Sequence, residues 1–173
     1  MKIILMMAMT ADGKIAKTSD HFPDWTSRED KKYFFETTKK HGVILMGEKT
    51  FKTFPKPLPG RLNVVFTLEK NPRLIGGQVP DPENVKFVSG DVEKVLEELE
   101  DMGYKSAILG GGAFLNSQFL QKKLIDEIWL TIEPKIFGDG LGVFGGDFNT
   151  NLKLISVEKI NESSVVVKYE VIK

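Results

Sequence analysis

The 173-residue chain has no cysteine and only two histidines, and its 24 basic side chains are cancelled by 24 acidic ones. Without cysteine there is no disulfide scaffold, no thiolate zinc site and no thiol nucleophile, and His21 and His41 alone leave little for a metal centre. Zero net charge removes the bulk field that would draw a chain onto nucleic acid or an anionic membrane. Long apolar runs are missing as well. The N-terminal one, Ile3 to Met9, is too short to span a bilayer and lacks the basic flank and cleavage site of a signal peptide. These absences point to a cytoplasmic protein that works without metal, nucleic acid or membrane. Its length suits one domain, residues 1–173, burying about 70% of the surface an unfolded chain exposes.

The charge is unevenly placed: 14 basic and 8 acidic residues lie up to Gly76, and 10 and 16 follow it. Short apolar blocks alternate with helical patterns, as in an α/β domain. The spacing predicts strands at about 2–9, 43–46, 63–67, 85–88, 106–109 and 126–133, and a closing hairpin, about 153–161 and 164–172, that turns at Asn161-Glu162-Ser163-Ser164. The early strands are continuously apolar, as expected where helices cover both sheet faces. Helices fit at about 27–40, 91–102 and 113–122. In the second, Val92, Val95, Leu96 and Leu99 form one apolar stripe against a solvated acidic face. The segments 10–26 and 134–150 are long for so compact a domain, and chemistry is expected where they converge.

Familiar nucleotide motifs are absent. Gly47-Glu48-Lys49-Thr50 lacks the spacing of a phosphate loop, and Gly110-Gly111-Gly112 lacks that of a dinucleotide fingerprint. The three glycines still stand between a buried strand and a helix start, where backbone can approach an anion. A tight turn explains them equally well. Asp30 has two readings. In the box Ser27-Arg28-Glu29-Asp30 it caps a helix, and that role is put first; if Thr26 and Glu29 form the box instead, Asp30 is a free carboxylate on an apolar helical face. Lys56-Pro57-Leu58-Pro59-Gly60-Arg61 reads as a rigid turn presenting Arg61 for bidentate recognition of a carboxylate, or as a surface arginine. His21 is read as a loop residue and His41 as a cation at a helix C-terminus.

Taken in order, Trp25, Asp30, Phe34, Thr38, the stretch Val43 to Phe51, the turn Pro57-Leu58-Pro59-Gly60-Arg61-Leu62-Asn63, Gly110-Gly111-Gly112 and Trp129-Leu130-Thr131 resemble the dihydrofolate reductase family over nearly the whole chain. The resemblance implies a single-domain α/β fold: a mostly parallel eight-stranded sheet flanked by helices, with a C-terminal antiparallel hairpin. It also implies NADPH-dependent reduction of 7,8-dihydrofolate to tetrahydrofolate. Asp30 is then the catalytic carboxyl, holding the pterin amino group and ring nitrogen and assisting protonation of N5, with Thr131 hydrogen-bonded to it. Ile4 and Phe34 are substrate positions, and Arg61 takes the carboxylate of the glutamate tail. For the cofactor the resemblance marks Met6, Ile15, Gly47, Lys49, Thr50, Thr67, Lys70, Gly110, Gly111, Gly112 and Ala113.

Glu48 departs from that pattern, because a carboxylate stands where a basic residue usually faces the 2′-phosphate of NADPH. Lys49, Lys70 or Arg73 could compensate. Thr10-Ala11-Asp12-Gly13-Lys14-Ile15-Ala16 and Phe137-Gly138-Asp139-Gly140 look more like a related family, the pyrimidine reductase domain of riboflavin biosynthesis. The intact Pro-Leu-Pro-Gly-Arg turn and the stretch Thr37 to Gly42 favour the folate substrate. The alternatives are the aminopyrimidine phosphate of the riboflavin route and a catalytically silent nucleotide-binding module. The apolar residues of the loop 136–148 either fold over their own core or form a homodimer surface.

Overall fold

The structure, a computed structural model, describes residues 1–54, 56–68 and 83–173. In chain order it runs through β1 (Lys2–Thr10), β2 (Lys14–Ala16), a short 3-10 turn (Pro23–Trp25), α1 (Arg28–His41), β3 (Val43–Gly47), α2 (Glu48–Phe51), β4 (Leu62–Phe66) and β5 (Val85–Val88). It continues with α3 (Val92–Asp101), β6 (Ser106–Leu109), α4 (Ala113–Gln121), β7 (Glu127–Glu133), β8 (Leu141–Gly142), β9 (Leu152–Lys159) and β10 (Val165–Val171). The eight long strands form one sheet in the order β5-β4-β3-β6-β1-β7-β10-β9, parallel through β7 and antiparallel over the final hairpin. This is the expected architecture. The small sheet of β2 and β8 was not legible in the sequence, because elements of two or three residues are too short to show a period.

The continuous apolar strands are explained by burial on both faces. Ile3, Leu5, Val43, Leu45, Val64, Ala107 and Leu109 pack with the apolar stripe of α3 and with Leu115 and Phe119 of α4. Their neighbours, one residue out of phase, point the other way: Ile4, Met6 and Ile108 meet Tyr33 and Phe34 of α1, while Ile44, Met46 and Val65 meet Phe51, Leu58 and Phe34. Asp91 caps α3 by accepting the Glu93 N–H at 3.1 Å. Gly42 ends α1 at φ +77, the left-handed conformation that glycine adopts without strain, and donates to Thr38 and Lys39 carbonyls. At the hairpin, Asn161 Oδ1 accepts from the Ser163 and Ser164 N–H groups at 2.8 and 2.7 Å.

The long segments after β1 and β7 do converge. Lys14 and Ala16 pair with Gly142 and Leu141, and the Asp12 carboxylate accepts the N–H groups of Phe137 and Gly138. Most apolar residues of the loop 136–148 fold over their own core, the first of the two readings. Val143 is buried, and Phe144 and Phe148 pack on the core. The Asn116 and Ser117 side chains bind the Val143 carbonyl and the Gly145 backbone. Of its large apolar side chains, Ile136 and Leu141 remain exposed. His41 also differs from expectation: burial pushes its pKa down, so the ring at the end of α1 favours its neutral form, with Nδ1 2.7 Å from the Ser106 hydroxyl. Among the described residues no helix is long and apolar enough to cross a membrane.

Candidate active site

Because α1 follows β1, its first turn stands at the carboxyl end of the parallel strands, where open α/β sheets bind ligands. Ser27 is the N-cap: its hydroxyl accepts the Asp30 N–H at 3.2 Å. The expected capping role for the Asp30 side chain is not what forms. The Asp30 carboxyl, 7% exposed, lies beside the hydroxyls of Thr131 and Thr26. Burial pushes its pKa up, and the two hydroxyls offset only part of the rise, which the neighbouring Glu133 charge adds to. Thr131 is itself 2% exposed, opposite Ala8 on β1. Phe34, one helical turn on, is half-buried and stacks on Phe54 with ring centroids 6.3 Å apart. Trp25 packs edge-on against Phe137 at 5.0 Å, and its indole N–H is buried with no partner among the described residues.

Arg61 is neither a surface arginine nor a side chain presented to solvent. At 3% exposure it donates to the carbonyls of Pro59 and Phe35 and to the Thr38 hydroxyl, and its guanidinium lies 4.3 Å from the centre of the Phe35 ring. It ties α1 to the proline turn. That turn is in turn held by Asn63, fully buried, which bonds both the N–H and the carbonyl of Leu58. Ile4 is 1% exposed and lies within the ladders to β6 and β7, so its side chain is core.

On the other side of the cleft, β6 pairs with β1 only as far as Leu5–Leu109, whereas β7 continues to Thr10–Glu133. The β6 side of the β1 backbone from Met6 onward is therefore outside the ladder, beside Gly110, Gly111 and Gly112. Gly111 has φ +93, and a Cβ there would sit 2.9 Å from Met7 Sδ; one on Gly112 would sit 3.3 Å from Thr50 Oγ1. The peptide between these two glycines is cis, and Gly47 donates to the Gly111 carbonyl at 2.7 Å. Two helices begin at these glycines: α2 after Gly47 and α4, from Ala113, after Gly112. Neither has a side-chain cap. A groove of bare backbone with uncapped helix N–H groups suits a pyrophosphate, so the residues present fit a dinucleotide. Ile15 is half-buried against the core on β2, and Lys49 is exposed on α2. Glu48 pairs with Lys52 and accepts from Thr67. Lys70 and Arg73 lie outside the described residues.

Residues 1–166 match the RibD C-terminal domain. The chain belongs to the RibD C-terminal domain family. Within the wider group, it is 28% identical over 204 residues to 2,5-diamino-6-ribosylamino-4(3H)-pyrimidinone 5′-phosphate reductase of Methanothermobacter thermautotrophicus, covering 97% of this chain and 89% of the relative. It is 31% identical over 160 residues to Bacillus subtilis dihydrofolate reductase, covering 91% and 83%. Some relatives are much longer: the chain spans 25% of a maize bifunctional dihydrofolate reductase-thymidylate synthase. Among solved structures, RibD of Acinetobacter baumannii superposes with a TM-score of 0.88 at 18% identity, over 99% of this chain and 58% of that one. Dihydrofolate reductase of Enterococcus faecalis in complex with NADP(H) superposes at 0.74 and 19%, over 99% and 97%. At such identities the structures establish the shared fold. The Enterococcus faecalis structure shows that this fold can hold NADP(H).

The chain therefore carries residues that resemble dihydrofolate reductase within a RibD C-terminal domain. One residue escaped the sequence reading altogether. Glu133, 2% exposed at the end of β7, accepts from the Ser27 N–H and hydroxyl, both at 2.7 Å, and from the Ser164 hydroxyl at 2.7 Å. Burial pushes its pKa up, but the bonds from Ser164 and Ser27 outweigh that and hold it below the usual carboxylate value. Its position two residues after Thr131, hence on the same strand face, was the available signal.

Proposed function

We propose that the chain is an NADPH-dependent reductase of a 2-aminopyrimidin-4-one, namely 2,5-diamino-6-ribosylamino-4(3H)-pyrimidinone 5′-phosphate. The observation that carries the ring chemistry is the Asp30 carboxyl, buried at the strand ends beside Thr131. A 2-amino-4-oxopyrimidine presents two adjacent donors, N3–H and the exocyclic amino group, and a carboxylate accepts both at once. Two further facts support this substrate: the family match over residues 1–166 and the engagement of Arg61 with its own chain, which suits a substrate without a glutamate tail. Bound NADPH supplies a hydride. The ribosylamine opens to an imine, the hydride adds to C1′ and a proton to nitrogen, which yields a ribitylamine. Asp30 and Thr131 hold the ring, Phe34 offers a flat apolar wall, and the closely packed loops limit water.

Dihydrofolate is the second reading, favoured by the Asp30, Phe34, Thr38 and Thr131 arrangement and by the Bacillus subtilis relative. Its pterin shows Asp30 the same edge, so the two substrates differ in the tail. The test is turnover of each by the purified protein, followed by NADPH oxidation. We expect kcat/KM to favour the aminopyrimidine phosphate by at least about tenfold. A preference of that size for dihydrofolate would replace the first reading by the second. Binding of NADPH with turnover of neither would mark a silent module.

A further inference from the structure

Helix α1 begins with half of a capping box. In the complete motif the N-cap hydroxyl accepts from the third helical residue, whose carboxylate reaches back to the N-cap N–H. Here Ser27 accepts from Asp30, but the return bond comes from Glu133, on β7. The same oxygen of Glu133 takes the Ser27 hydroxyl, and its other oxygen takes Ser164 beside β10. One buried carboxylate thus joins three elements at the edge of the cleft.

The spacing explains why both contacts form together. Thr131 and Glu133 share a face of β7 about 6–7 Å apart, and Ser27 and Asp30 share a face of the helix start about 5–6 Å apart. Strand and helix meet at two points, Thr131 with Asp30 and Glu133 with Ser27. Had Asp30 closed its own box, its carboxyl would lie on the Ser27 N–H and not on Thr131.

We propose that Glu133 is a positioning residue for Asp30: it completes the helix cap from the neighbouring strand and so keeps the Asp30 carboxyl turned toward Thr131 and the ligand. The inference rests on the reading of Asp30 as the ligand-facing carboxyl. The charged groups facing the pair are Glu133 and Lys31 toward Asp30, and Lys135 toward Glu133. A like charge beside Asp30 also disfavours its ionised form.

The test is the titration of the Asp30 carboxyl by NMR in the ligand-free protein, which needs no substrate. Glu133→Gln keeps an acceptor for Ser27 and removes the charge, so Asp30 should titrate at lower pH than in the wild type. Glu133→Ala removes both; the Asp30 carboxyl should swing onto the Ser27 N–H and titrate lower still. With substrate, Glu133→Ala should lose about a hundredfold in kcat with an unchanged KM for NADPH. An Asp30 titration unchanged in the folded Ala variant overturns the proposal; if that variant does not fold, a loss of about a hundredfold in kcat in the Gln variant, which keeps the acceptor for Ser27, overturns it. A wild type that turns over neither substrate would defeat the proposed function and leave the titration result standing.

Discussion

Replacing Asp30 by asparagine separates what a carboxyl does from the space it fills. Asparagine is nearly isosteric and keeps an oxygen beside the Thr131 and Thr26 hydroxyls, so the packing of α1 on β7 should survive. It cannot carry a negative charge or lend a proton, and its amide N–H opposes the donors of a 2-aminopyrimidin-4-one edge. Hydrogen bonds to a charged group contribute about 1.5–3 kcal/mol each. Losing a pair costs about 3–6 kcal/mol, and at about 1.4 kcal/mol per tenfold this is roughly 10²–10⁴ in kcat/KM. Any role in handling the proton falls in the same range, about 10²–10⁴. The assay is steady-state NADPH oxidation with the aminopyrimidine phosphate, beside a fluorescence titration of NADPH. The expected result is a fall of at least about a hundredfold in kcat/KM with NADPH affinity retained. Folding gives an independent readout. Burial raises the Asp30 pKa, so the folded state holds its proton more tightly than the unfolded chain does. The stability this contributes is whole below the ordinary carboxylate value and is lost as pH rises through the raised one. Asparagine has no such loss, so the variant should gain thermal stability relative to the wild type on going from acid to neutral pH. Turnover within about threefold of the wild type would refute the assignment of Asp30, since even one charged hydrogen bond is worth more than that.

Glu133 should show the opposite sign. Its pKa is held low, so its stabilisation is present above the ordinary carboxylate value and lost as pH falls through the lowered one. Acid melts of Glu133→Gln should accordingly be flatter than those of the wild type. Arg61→Ala removes a buried side chain that serves Phe35, Pro59 and Thr38, and should cost about 3 kcal/mol in denaturant unfolding. If Arg61 instead binds a substrate tail, stability would hold and only KM would rise. Gly111→Ala would place a Cβ beside Met7 at a backbone angle of +93°; the variant should lose about 1–3 kcal/mol and most NADPH affinity, measured by melting and by titration.

The helix of residues 92–101 illustrates how much can be read locally. Its stripe of Val92, Val95, Leu96 and Leu99 is buried as the periodicity requires, because a helical face and its neighbours are fixed by spacing alone. The apolar strands and the turn at Asn161 were legible for the same reason. Arg61 shows where that reasoning stops. A proline turn says where the backbone goes, but whether the guanidinium faces solvent or folds back on α1 depends on a contact 26 residues away.

The sequence by itself determined the alternation of strands and helices, the sheet burial, and the order of motifs that resembles two sister reductases. These follow from residue periods and turn chemistry, which are local. Only the tertiary structure decided what Asp30 is for. In the chain, Ser27 to Asp30 reads as an ordinary helix cap; in the fold, Glu133, 106 residues away, closes that cap and leaves the Asp30 carboxyl to Thr131. A cap is an account of hydrogen bonds, and a buried N–H takes whichever carboxylate the packing of strand on helix brings to it.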